Sequence, residues 1–206
     1  VQLSRGHEPA RRSITASIAR VGTGERVLLN PREPVVALNR LQSGIGALVF
    51  EVAASARVGD LRVGCAYELA DGHSSTVQSE DGANAAPRGS REPVIFARND
   101  GFERLLIDLR QTRRLVRALF YGFSASEQPL NWGGTLIVNA LGGARVELPL
   151  DHPPAAGVIA LMSVFNVDGE FVIRGEMELI NGSIRDACVA YGYDRIAWID
   201  DRHPAI

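Results

Sequence analysis

The side chains with which this chain could do chemistry are four histidines, two cysteines, a scatter of serines and acidic residues, and many arginines. Serine-type catalysis needs a hydroxyl, an imidazole base and an acid that orients the base. His7 and His203 stand near the two ends of the sequence, and His73 and His152 stand in polar or proline-rich stretches that read as turns. The sequence holds no Gly-x-Ser-x-Gly elbow. All four histidines therefore read as exposed loop residues, and a hydrolase built on Ser124, Ser126 and a distant histidine is the minor alternative. Cys65 and Cys188 form no CxxC pair, and no histidine stands at a metal-ligand spacing. The adjacent carboxylates of Asp200 and Asp201 point to different sides of an extended chain, which suits a solvated turn better than paired acid and base. Gly22, Gly24, Gly44 and Gly46 do not spell a dinucleotide fingerprint. All 22 basic residues are Arg, so a Schiff-base lysine and a P-loop lysine are both excluded.

Arg110, Arg113 and Arg114, with Arg117 close behind, make a local basic cluster. Guanidinium groups bind oxyanions in bidentate fashion, so these residues are candidates for holding a small anion. The competing reading is a solvated turn, because no aromatic residues interleave with the arginines as a single-strand platform requires. A formal net charge of −2 argues against non-specific binding to nucleic acid or to an anionic membrane. No apolar run reaches the roughly 18 residues of a membrane helix, and no signal-peptide pattern is present, so a cytoplasmic protein is expected. Cys65 lies in an alternating apolar run and Cys188 in a helix-like run, and both read as buried free thiols. Trp132 and Trp198 stand near strand ends, where they either anchor a partner or finish the core.

What must position these residues is a set of short strands. Segments rich in Val, Ile, Phe and Tyr run over Ser13–Arg20, Ala47–Ala54, Leu61–Leu69, Pro93–Ala97, Leu105–Leu109 and Leu115–Phe123. Further ones follow at Gly134–Ala140, Ala144–Leu148, Val158–Val167 and Glu170–Leu179. Gly, Pro, Asp and Asn turn residues bound them, which predicts an all-β sandwich of two packed, mainly antiparallel sheets. Asp168-Gly169 predicts a tight hairpin turn with positive φ. The one helix expected is Ser183–Tyr191, where Ile184, Cys188 and Tyr191 form an apolar stripe between the caps Ser183 and Gly192. Residues 22–45 read as a long connection and 72–92 as the most loop-like stretch; the whole chain, 1–206, reads as one domain.

The order of these features resembles the TerD family of tellurium-resistance and chemical-stress proteins. Leu3-Ser4-Arg5-Gly6 is similar to the family's Leu-Ser-Lys-Gly start, and Asp60-Leu61-Arg62 with Asp71-Gly72 to its Asp-x-Asp-Leu-Asp strand and turn. Gly134–Asn139 resembles the Ala-Phe-Ile-Arg-x-Val-Asn strand, and Asp168-Gly169-Glu170-Phe171 the Asn-Gly-Glu-Trp turn. Ser183–Gly192 resembles the terminal helix with its Tyr-Gly ending. The match is collinear over a core of about 45–193; residues 7–45 are longer than the family norm and 194–206 extend past it.

The resemblance implies a non-enzymatic β-sandwich that binds or scaffolds in a bacterial stress response, with protein partners or self-association. It also implies calcium held by acidic loop side chains. Asp60 and Asp81 fall on two of the family's aspartates, whereas Arg62, Arg88 and Arg91 fall on acidic positions. Three such exchanges change the local charge by about six units, and one guanidinium within a few ångströms of a divalent ion repels it by several kcal/mol. The expectation is a degenerate calcium site with no cofactor, in which Arg62 or Arg88 takes the cation's place against Asp60 and Asp81. Two alternatives stand beside it: one weak calcium site retained around Asp60 and Asp81, and a sensor of a small anionic, nucleotide-like ligand at the arginines.

Overall fold

Strands that alternate apolar and polar residues bury one face each, and here they pair into two sheets packed face to face. The computed structural model describes residues 18–79, 83–99 and 103–205. In chain order the strands are β1 (Arg26–Leu28), β2 (Val35–Ala37), β3 (Ala47–Ala53), β4 (Leu61–Leu69), β5 (Ser74–Gln78), β6 (Ala85–Ala86) and β7 (Ile95–Asn99). They continue with β8 (Glu103–Asp108), β9 (Leu115–Ser124), β10 (Thr135–Asn139), β11 (Arg145–Pro149), β12 (Val158–Val167) and β13 (Glu170–Ile180). Two short helices join them, α1 (Arg40–Gly44) and α2 (Ile184–Ala190). One sheet has seven strands in the order β1-β11-β10-β3-β8-β7-β6, and the other six in the order β2-β13-β12-β9-β4-β5. Only the β1–β11 pairing is parallel among the strand pairs described. The expected all-β sandwich with one short C-terminal helix is the architecture found.

The main core lies between the sheets. Phe50 from β3 stacks on Phe120 from β9 with ring centroids 3.7 Å apart, and Leu48, Tyr67, Ile107, Leu136, Val164 and Phe171 surround them. A second, smaller core lies on the outer face of the six-stranded sheet. There Ile184, Ala187 and Cys188 of α2 cover Ala66, Leu119, Tyr121, Phe123 and Ala160. This explains why β9 is apolar almost throughout: both of its faces are buried. Ser183 caps α2 as expected, its Oγ accepting from the Asp186 N–H while the Asp186 carboxylate accepts from the Ser183 N–H. Gly192 ends the helix at φ 74°.

The β12–β13 hairpin turns at Asp168 and Gly169 with φ of 53° and 83°, the left-handed pair that the sequence predicted. Farther along, the register on both sides of β12 steps between Ala160 and Met162: against β9 Leu161 is an extra residue of β12, and against β13 the extra residue belongs to β13, where Glu176 and Met177 stand opposite Leu161. Met177 takes φ 50°.

Two stretches differ from the reading. Residues 22–45 hold β1, β2 and α1, the helix opened by an Asn39–Gln42 capping box. Three-residue strands carry too little pattern to betray themselves. The polar stretch 72–92 holds β5 and β6. β5 reads Ser-Ser-Thr-Val-Gln, yet Thr76, Val77 and Gln78 are all buried, and Gln78 Nε2 donates to the Tyr121 hydroxyl at 2.9 Å. Of the strand expected at Ser13–Arg20, residues 13–17 lie outside the described residues, and Arg20 makes only an isolated bridge to Ala37.

Candidate functional site

Leu61 at the start of β4 pairs with Ser124 at the end of β9, so the turn before one strand meets the turn after the other. Asp60 ties them. Its Oδ1 accepts from Ser124 Oγ at 2.7 Å, its Oδ2 from the Ser126 N–H at 2.7 Å, and its own carbonyl from the Ala125 N–H at 3.3 Å. Hydrogen bonds from Ser126 and then Ser124 hold the Asp60 carboxyl below the usual range. Arg62 Nε lies 3.3 Å from Glu103 Oε1, and Glu103 Oε2 accepts the Val63 N–H at 2.8 Å. Arg62 thus pairs with a carboxylate of the facing sheet. Asp81, the other expected remnant ligand, lies outside the described residues. Among the described residues no group of three or more His, Cys, Asp or Glu side chains is placed to hold a metal ion.

The arginines sort differently in space than in sequence. Arg88 borders a cleft with Tyr67 and His73, toward the far end of β4 from Asp60, so it and Asp60 are not brought together. Arg91 and Arg110, nineteen positions apart in chain number, share a second cleft of ≈ 400 Å³ with Arg98, Phe96, Glu92 and Asp108. Arg98 lies over the Phe96 ring at 5.3 Å. Arg110 grips Asp108 through Nε at 3.0 Å and Nη2 at 2.7 Å, and this pairing holds the Asp108 carboxyl low. Arg113 is exposed, and Arg114 Nη1 donates to Gln111 Oε1.

Arg117 is a structural clasp. Its Nε donates to Glu68 at 2.8 Å, its Nη1 to the Tyr191 carbonyl at 3.0 Å and its Nη2 to the Gly192 carbonyl at 2.6 Å. The guanidinium also lies 4.3 Å from the Tyr193 ring centroid. It therefore satisfies carbonyls left open at the end of α2 while bridging β9 to β4.

A cleft of ≈ 480 Å³ lies between the end of β9, the start of α2 and the C-terminal tail. Ser124, Glu127, Asp200, Asp201 and Arg202 line its polar side. The tail is pinned there by Arg202, which donates to Glu127 at 3.1 Å and to the Ser124 carbonyl at 2.8 Å. His203 Nδ1 pairs with Asp200 at 2.8 Å, and the Ser124 hydroxyl donates to Asp60. His152 Nδ1 contacts the Pro153 carbonyl at 2.7 Å. His7 lies outside the described residues.

Cys65 and Cys188 are buried free thiols, as read from sequence. Burial pushes the Cys188 thiol up to about 12 and the Cys65 thiol well above its ordinary value. Trp132 is buried in the main core and Trp198 packs against the smaller one. Three features escaped the sequence reading: the Tyr67–His73 contact, the Arg98–Phe96 stack and the joining of Arg91 with Arg110. Only the last joins segments that no local pattern connects; Phe96 and Arg98 stand two apart on β7, and Tyr67 and His73 meet across the β4–β5 turn.

No protein-family profile and no curated protein matches this chain. A solved structure described as "Crystal structure of unknown function protein SAV2460" is similar to it with a TM-score of 0.43 and 15% identity, covering 66% of this chain and 93% of that one. At that level the likeness carries no argument about activity.

Proposed function

We propose that this chain is a non-catalytic binding or scaffolding module of the TerD type, serving a bacterial response to chemical stress. In this reading its calcium corner has been given over to internal hydrogen bonding. The observation that supports it is the state of Asp60, both of whose carboxylate oxygens accept from the β9 exit turn. Calcium needs six to eight oxygens, and each Asp60 carboxylate oxygen already gives one of its lone-pair sites to a donor from the β9 exit turn. A binding role, rather than a catalytic one, is supported by the Ser124 hydroxyl donating to a carboxylate and by the depth of both thiols. Protein partners or self-association fit the exposed Leu41 and Ile45 at α1, which leave 63% and 49% of their surface open.

Thermal melting across a calcium titration tests the reading. The expected result is an unchanged melting temperature at millimolar calcium. A clear rise would overturn it in favour of a retained weak site around Asp60, because a ligand of the native state must stabilise that state.

A second reading, a sensor of a small anionic ligand, is favoured by the cleft that gathers Arg91, Arg98 and Arg110 around the Phe96 ring. Glu92 and Asp108 in the same cleft offset two of the three positive charges. Inorganic phosphate is the probe: calorimetric binding should weaken about tenfold in Arg98→Gln, a loss of one charge-assisted contact. Equal phosphate binding by the variant would remove this cleft from consideration.

A further inference from the structure

The cleft beside β5 differs in chemistry from the clefts around Asp200 and Asp108. Its ≈ 370 Å³ lie between the free side of β5, the segment around Pro87 and Arg88, and the tail at Pro204 and Ala205. The Ala205 N–H donates to the Ala197 carbonyl at 2.7 Å and Pro204 bridges to Trp198, so the tail wall is fixed. Ala83, Ala85, Pro87, Pro204 and Ala205 make the walls apolar. The polar side chains are few: the Tyr67, Ser75 and Thr76 hydroxyls, the His73 imidazole and the Arg88 guanidinium. Among the described residues no carboxylate lines it, in contrast to the clefts around Asp200 and Asp108.

Tyr67 Oη lies 3.1 Å from His73 Nε2. Burial raises the phenol to about 12, so it keeps its proton at ordinary pH. Which of the two donates depends on the His73 tautomer: with the proton on Nε2, His73 donates to Tyr67 and the phenolic hydrogen can turn to an acceptor inside the cleft. Arg88 is exposed and adds a planar fork of donors with a fixed positive charge. An apolar space with a few convergent donors and a single guanidinium suits a planar, singly charged acceptor attached to an apolar body. A doubly charged phosphoryl group would call for more cationic partners than one arginine.

We propose that this cleft binds a small organic carboxylate with an apolar body, about the size of benzoate, its carboxylate on Arg88 and Tyr67 and its body against Pro87 and Pro204. The site stands independently of both readings above, since it uses neither Asp60 nor the arginines around Phe96.

The test uses benzoate, benzamide and phenyl phosphate as probes, with binding read by calorimetry and by the NMR shifts of the His73 ring. Benzoate should bind at millimolar concentration and move the His73 signals, and benzamide should bind about tenfold more weakly, the loss of one charge-assisted contact. Arg88→Gln should weaken benzoate by a similar factor with an unchanged melting temperature, because Arg88 is a surface residue. Tyr67→Phe should weaken benzoate while leaving benzamide less affected. Equal binding of benzoate and benzamide would sink the proposal, as would tighter binding of phenyl phosphate, or His73 signals that stay still under millimolar benzoate.

Discussion

Phe50→Ala should lower stability by about 3–5 kcal/mol, the range for removing a fully buried aromatic side chain. Phe50 is 1% exposed and Phe120 0% exposed, and their rings lie 15° from parallel across the gap between the two sheets. No other described ring pair joins the sheets at so short a distance. Truncation removes one ring and strips one face of the other, and neighbours held in two hydrogen-bonded sheets cannot close the void. Urea unfolding should therefore show a lower midpoint with an unchanged slope. A loss of less than about 1 kcal/mol would mean that the rings are not stacked at the centre of the core.

Gly64→Ala should cost about 2–3 kcal/mol through overpacking, although alanine is the better strand residue by up to about 1 kcal/mol at an unconstrained position. Gly64 pairs directly with Tyr121, and an added Cβ would lie 2.5 Å from Cε2, Cζ and Oη of that ring. Tyr121 is fully buried beneath α2 and its hydroxyl accepts from Gln78, so the ring has nowhere to retreat. A double-mutant cycle separates this from backbone effects. With Tyr121→Ala in the background, Gly64→Ala should lose most of its cost, giving a coupling of about 1–3 kcal/mol. A stabilising Gly64→Ala in the native background would refute the close approach.

Long strands buried in a regular way were legible before any coordinates. β4 and β12 start and stop where their apolar runs do, and the capping residues of α2 were explicit in Ser183 and Gly192. β1, β2 and β6 were not legible, since two or three residues set no period, and they exist only because β11, β13 and β7 offer partners. β5 was hidden for another reason: it is mostly polar, and two of its side chains find polar partners, buried Gln78 on Tyr121 and half-buried Ser74 on the Tyr67 carbonyl. The candidate sites were less legible still. Adjacency in sequence grouped Arg110 with Arg117, but one lines a cleft and the other closes a helix end. Asp60 was singled out as a remnant calcium ligand; its role in tying two turns together was not legible, because its partners, a serine hydroxyl and a backbone N–H, carry no signature a sequence can show.

The bulge at Leu161 has a consequence for how the six-stranded sheet can assemble. Ile159 and Leu161 point to the main core, and so do Met162 and Val164, which stand at the opposite parity along the chain. Were the ladder regular through Leu161, Ser163 and Phe165 would swing inward and Met162 and Val164 would face out. The kink acts as a phase corrector, absorbing one odd residue so that both halves of the strand keep their sides. Because β13 steps against β12 at the same place with an extra residue of its own, three neighbouring strands interlock like toothed rails with matched notches, and sliding any one of them would leave a notch unmatched.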